Sequence, residues 1–270
     1  MNRRIVLGII TVLIAAVIFT LVIKKINRHW QIKAGRFTSA SGMSTQAAAL
    51  LDKGDLFAAK SIYQQMINDF PNSRQVVNWQ KKIEEINIKL LFSSVLTPKS
   101  VLYEIKPGDT LTKIAREFKT TTDLIKKSNG ISGDRIAPGE KIKVWVSPFS
   151  IVVDKSQNIL ILKTDEEVVK TYIVSTGKNN STPIGTFKII NKLANPTWFK
   201  TGAVIPSESP ENILGSRWLG FDLSGYGIHG TTEPQNLGKQ VTQGCVRMAN
   251  SDVEELYTLI PVGTEVTIVD

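Results

Sequence analysis

The sequence predicts a multidomain α+β chain, on three observations. An uncharged apolar run covers 5–23, apolar residues at helical spacing fill 44–92, and short alternating runs separated by turn residues occupy the chain after Pro148. Between the last two lies a smaller pattern of strand, two helices and strand at 103–146. The resulting division is a transmembrane helix with its flanks at 1–30, a helical segment at 40–96, a βααβ module at 101–147 and a mainly-β sandwich or barrel at 148–270. A composition 42% hydrophobic and 21% charged excludes a disordered or collagen-like chain.

The 5–23 run is long enough to cross a hydrocarbon core of about 30 Å as a helix. A cleaved signal peptide is the rival reading, but Lys24, Lys25 and Arg28 stand where a small-residue cleavage site belongs, which favours a retained anchor. The flanking charge by itself favours a cytoplasmic C-terminus, because more basic residues follow the run than precede it. The formal charge of +9 is concentrated there too: residues 1–36 hold seven Lys or Arg and no acid, whereas 148–270 hold ten basic and thirteen acidic residues. The C-terminal domain therefore has no electrostatic footprint for nucleic acid, and the basic excess suits lipid headgroups.

Within 44–92, Gly54 and the turn at Phe70, Pro71 and Asn72 separate three helices. Residues 97–100 read as a linker. In the βααβ module, 103–106 reads as a strand, Asp109 or Thr110 caps a helix carrying Leu111, Ile114, Ala115 and Phe118, and Thr122 caps a second helix. The alternation of Ile142, Val144 and Val146 closes the module with a strand. Beyond Pro148, strands are expected at 151–154, 159–163, 168–175, 186–191 and 266–269. One helix is expected at 251–259, with Val253, Leu256 and Leu259 on one face.

Chemistry concentrates at 226–250, which holds the sole cysteine, Cys245, and one of two histidines, His229; the other, His29, sits beside the apolar run. A base that takes the thiol proton turns cysteine into a nucleophile for acyl transfer, so these two residues are the candidates. One cysteine permits no intramolecular disulfide, and no ligand cluster accompanies either histidine, so neither metal nor cofactor is expected. A lone buried thiol is by default inert, and it is the surroundings of Cys245 that favour reactivity.

Those surroundings are four ordered blocks: STPIGTFKIINK at 181–192, NPTWF at 195–199, LGSRWLGFDLSGYGIHGT at 214–231 and TQGCVRMAN at 242–250. Together they resemble the L,D-transpeptidase catalytic domain, the YkuD domain, over essentially all of 149–270. The module at 103–146, with its PGDTL and PGEKI turns, resembles LysM, and 49–73 resembles one tetratricopeptide-type unit, read as a spacer or docking bundle. The transpeptidase resemblance implies Cys245 as nucleophile and His229 as general base. The alternating Val246 and Met248 beside Cys245 suit a strand packed next to the Ile228 strand, and cross-strand neighbours can place a ring nitrogen within hydrogen-bond reach of sulfur. Gly244 and Cys245 N–H groups are candidate oxyanion donors. The family motif commonly carries a second histidine before the Gly–Cys pair; here Gln243 follows Thr242 instead, and it cannot titrate.

Arg247 either holds a substrate carboxylate or pairs with an internal acid such as Asp252; Gly225, Gly227 and Gly230 serve backbone geometry; Tyr226, Trp218 and Phe199 line a peptide groove or belong to the core. The resemblances imply peptidoglycan as partner, through its stem peptides at the catalytic domain and through N-acetylglucosamine-containing glycan at LysM, with Asn129 and the 107–109 turn as glycan contacts or as purely structural groups. Cross-linked stems lie outside the cytoplasmic membrane, which places the C-terminal domains on the wall side and outweighs the flanking charge. Alternative acceptors, water or a protein lysine, and a non-catalytic wall-binding scaffold complete the set of readings.

Overall fold

The computed structural model describes residues 39–200 and 202–270. The transmembrane helix expected at 5–23 lies outside the described residues, among which no helix is long and apolar enough to cross a membrane.

The chain divides into two compact units, the boundary falling after Trp79 inside the third helix. In the first unit, α1 (Ala40–Asp52) begins where the Ser39 side chain accepts from Gly42 N, and Asp55 caps α2 (Leu56–Asp69) by accepting from Ala58 N. Between them Gly54 takes the left-handed φ of 75° that ends the first helix. The helices bury Met43 and Ala47 of α1 with Ala59, Ile62, Tyr63 and Met66 of α2. The edge of Phe70 meets Trp79 at 6.5 Å, near the start of α3 (Val76–Leu91).

The second unit opens with the later turns of α3. The βααβ module follows as β1 (Ser100–Glu104), α4 (Leu111–Glu117), α5 (Thr122–Asn129) and β2 (Lys141–Trp145), its antiparallel strands pairing from Ser100 with Trp145 to Glu104 with Lys141. The first strand begins earlier than the expected 103–106, inside the supposed linker, where Ser100 already pairs with Trp145, and it ends before 106, where Lys106 N turns back to donate to Asp109 Oδ2. Thr110 caps α4, and Thr121 rather than Thr122 caps α5, accepting from Leu124 N. Asn129 is a structural clamp: its Nδ2 donates to Ile125 O and Lys143 O while its Oδ1 accepts from Lys143 N.

The C-terminal domain is a closed barrel. Its strands are β3 (Phe149–Asp154), β4 (Ile159–Thr164), β5 (Glu167–Gly177), β6 (Gly185–Ala194), β9 (Arg217–Phe221), β10 (Gly227–His229), β12 (Val246–Met248) and β13 (Glu265–Val269). They run in the order β5-β12-β10-β9-β6-β13-β3-β4, with β4 pairing back onto β5 and β11 (Gln240–Thr242) added outside β5. Closure removes the free edges an open sheet would expose. The hairpin β7 (Trp198–Lys200) and β8 (Ala203–Ile205) stands apart. Strand alternation fills the core with Ile151, Val153, Leu160, Leu162, Val174, Leu219, Ile228, Val246 and Ile268, each no more than 1% exposed. Val253, Leu256 and Leu259 of α6 (Asn250–Leu259) seal it at helical spacing.

Module and barrel share that core, because Leu91 of α3 and Leu124 and Trp145 of the βααβ module belong to the same buried cluster. Polar ties reinforce it. Thr121 Oγ1 donates to Thr258 O, Asn87 Nδ2 to Val168 O and Val169 O, and the buried Lys143 ammonium to Leu90 O and Ser93 O.

Candidate active site

Three adjacent strands build the site. β10 lies between β9, antiparallel to it, and β12, parallel to it; Ile228 aligns with Leu219 and Val246, and His229 with Trp218 and Arg247. Because side chains alternate, Ile228, Leu219 and Val246 enter the core while His229, Trp218 and Arg247 form a row on the other face. Cys245, two residues before Arg247, projects to that face as well. Together with Tyr226, Gln243 and the hairpin residues Trp198 and Phe199, these side chains line a cleft of about 590 Å³.

His229 is 3% exposed. Its Nδ1 lies 2.7 Å from Gly230 O, so Nδ1 carries the proton and the other ring nitrogen, Nε2, is left to accept one. Trp218 stacks on the ring with centroids 5.9 Å apart, its own Nε1–H donating to Asn191 Oδ1. Burial pushes the imidazole down to about 4 and the Arg247 charge adds to this, against the opposing pull of the Gly230 and Leu214 carbonyls. Burial also raises the Cys245 thiol, against the Gly227 backbone hydrogen bond and the Arg247 charge. Burial thus favours the neutral form of both groups, a thiol and an imidazole in one cleft rather than an ion pair. The thiol hydrogen bond goes to Gly225 O, at 3.5 Å, and not to the ring as the strand alternation suggested.

The loop that carries the nucleophile is held by Thr242, whose Oγ1 donates to Cys245 O at 2.7 Å and accepts from Gly244 N at 3.2 Å. That bond occupies one of the two N–H groups expected to receive the oxyanion and leaves Cys245 N–H as the candidate. Gly244 sits at φ 134°, and a Cβ there would approach Tyr226 Cε1 to 2.7 Å, so both conformation and space require glycine. At Gly230 the constraint is contact alone: a Cβ would meet Asn250 Oδ1, which accepts from Ser216 N and Thr231 N and ties three segments together. Gln243 is exposed at the cleft.

Arg247 does pair with an internal acid, but with Glu233 rather than Asp252: its Nη1 lies 2.9 Å from Glu233 Oε2. Asp252 sits instead beside Lys170 and Glu255, and burial raises its carboxyl. Of the three expected groove aromatics, Trp218 and Tyr226 are half-buried in the cleft wall and Phe199 stands 75% exposed at its rim. Sequence reasoning missed Trp198 and Lys178 in the lining and Glu233 behind it. The NPTWF block contained the first, and the turn residues after Gly177 were the only signal for the second.

The family model described as the L,D-transpeptidase catalytic domain (YkuD) matches residues 148–268, and that of the LysM domain matches residues 103–145. The YkuD protein of Bacillus licheniformis, an L,D-transpeptidase by name, is 35% identical over 62% of this chain and 98% of its own length. The chain belongs to the L,D-transpeptidase family.

A second relative, the L,D-transpeptidase YqjB of Bacillus subtilis, is 44% identical over 44% of this chain and 70% of its own. Among solved structures, the catalytic domain of an Enterococcus faecium L,D-transpeptidase aligns over 46% of this chain and 98% of that one, at 23% identity and a TM-score of 0.38. By the two family models that match those residues, the barrel is an L,D-transpeptidase catalytic domain and the βααβ module preceding it is a LysM domain. Among the described residues no group of His, Cys, Asp and Glu could hold a metal ion.

Proposed function

We propose that this L,D-transpeptidase cross-links peptidoglycan stem peptides through a thioester on Cys245. The observation that carries the reading is that one cleft is lined by both Cys245, which immediately precedes β12, and His229 of the adjacent parallel strand β10, with the ring Nδ1 tied to Gly230 O. As sulfur attacks the carbonyl of the third stem residue, the thiol proton passes to His229 Nε2. The tetrahedral oxyanion is met by Cys245 N–H. His229 then returns the proton to the departing amine of D-alanine, leaving the thioester. The acceptor amine of a second stem loses its proton to the same nitrogen and attacks the thioester, regenerating the thiol.

Gln243 stands in the cleft where the family commonly has a second histidine, so all proton transfer in this scheme runs through His229. A carbapenem, which offers a strained acyl carbon to the same sulfur, acylates Cys245. Product analysis with purified disaccharide-tetrapeptide tests the proposal: wild type forms dimers linked between third residues, Cys245→Ala forms none, and dimers from the variant would refute it. Release of tripeptide in place of dimers would identify water as the acceptor.

The remaining parts serve placement. The LysM domain holds glycan, with contacts drawn from residues other than Asn129, whose amide is consumed by its own module. The uncharged 5–23 run anchors the chain in the cytoplasmic membrane with the catalytic domain on the wall side, and the helices of 40–96 space the two. Protease added to spheroplasts degrades a catalytic domain so placed; full protection would reverse the topology.

A further inference from the structure

The residues lining the catalytic cleft include two formal cations, Lys178 and Arg247, and no carboxylate. Arg247 is buried and already paired with Glu233. Lys178 differs: it is exposed at the cleft, and its ammonium has no acidic partner among the described residues.

Its backbone is nonetheless built into the site. Gly177, the last residue of β5, pairs with Thr242 and would place a Cβ 3.1 Å from Gly244 Cα, so the two loops touch beside the nucleophile. The turn that follows is fixed by Gly177 N donating to Thr182 Oγ1 at 2.7 Å and Ser181 N to Lys178 O at 3.1 Å, with Asn179 and Asn180 in left-handed conformation. The fold holds Gly177, the residue before Lys178, against Thr242 and Gly244 and leaves the charge unused.

The strand order assigns that charge to one half of the substrate. β12, which Cys245 precedes, has β10 with His229 on one side and β5 with Lys178 on the other. His229 must reach the leaving amine to protonate it, so the leaving residue lies on the β10 side and the acyl half lies over β5. We propose that Lys178 is a specificity residue that reads a free carboxylate on the acyl half of the donor stem, upstream of the scissile bond. A lysine suits this task as a long-reaching point charge, and an apolar and aromatic cleft without competing acids gives that charge nothing else to meet. The assignment rests on the transpeptidase reading above.

The test compares two disaccharide-tetrapeptide donors that differ only in having the second residue's carboxylate free or as its carboxamide. Thioester formation is followed on the full-length protein by intact mass. Wild type favours the free acid in kcat/KM by about twofold to fivefold, the effect of one partly screened ion pair. Lys178→Gln brings the ratio near one, Lys178→Glu inverts it, and Lys178→Arg retains it. A ratio unchanged in Lys178→Gln overturns the proposal while leaving the transpeptidase reading intact; no thioester from either donor in wild type overturns both. An independent readout needs no stem peptide: the ratio of Cys245 alkylation rates by iodoacetate and iodoacetamide falls in Lys178→Gln, and an unchanged ratio counts against the charge acting in the cleft.

Discussion

The position of each proton is fixed at single residues. Because Nδ1 of His229 is committed to Gly230 O and burial holds the ring near 4, the imidazole is unprotonated at Nε2 at neutral pH, and the thiol, raised by the same burial, gives up its proton only as it attacks. Cys245 alkylation by iodoacetamide should therefore keep rising through pH 9, whereas a plateau established by pH 6 would indicate a preformed thiolate–imidazolium pair. The same shift bears on stability. A histidine whose pKa is about 4 folded and about 6.5 unfolded binds fewer protons when folded, so its contribution is complete above pH 6.5 and is lost as pH falls through 4. It amounts to at most about 3 kcal/mol. His229→Gln should show a shallower fall in Tm between pH 6.5 and 4 than wild type, and equal slopes would contradict the burial argument. Gly244→Ala forces a side chain to φ 134° and against Tyr226; it should cost about 1–3 kcal/mol and at least tenfold in acylation rate, measured by thermal melting and carbapenem adduct formation.

At the scale of elements, legibility followed the strength of the local period. The helix at 251–259 and the strands around 151–154 and 159–163 were readable because their buried residues recur at helical or alternate spacing without interruption. Of the strands that hold the site, the neighbouring segments around Ile228 and Val246 were read from the sequence and pair as β10 and β12, whereas β9 and β11 were not, because strands of five or three residues whose partners are distant in sequence give alternation little length over which to appear. Ordered blocks of sequence located Cys245 and His229 where periodicity could not. What escaped both was whatever depends on a loop meeting another loop, such as Glu233 reaching Arg247 and Gly177 touching Gly244. The α6 helix gives the element-scale prediction: Leu256 is fully buried beneath the strands, so Leu256→Ala should cost about 2–5 kcal/mol in chemical denaturation, and a loss below 1 kcal/mol would mean the helix does not seal the barrel.

Across the second unit, the LysM domain is built onto the catalytic barrel rather than strung from it, since Leu91, Leu124 and Trp145 enter the barrel's buried cluster and Thr121 bonds Thr258 O. Leu124→Ala, a change confined to LysM, should therefore accelerate amide hydrogen exchange in α6 and its neighbouring strands of the full-length protein; acceleration restricted to residues of the LysM domain would show the two to be independent. The central claim of the account, that Cys245 carries the acyl group between stems, is tested most directly by intact-mass analysis of the full-length protein mixed with purified disaccharide-tetrapeptide. A transient adduct of the donor less D-alanine is expected on wild type and none on Cys245→Ala, with cross-linked dimer only from wild type; dimer formed by Cys245→Ala would refute the thioester route.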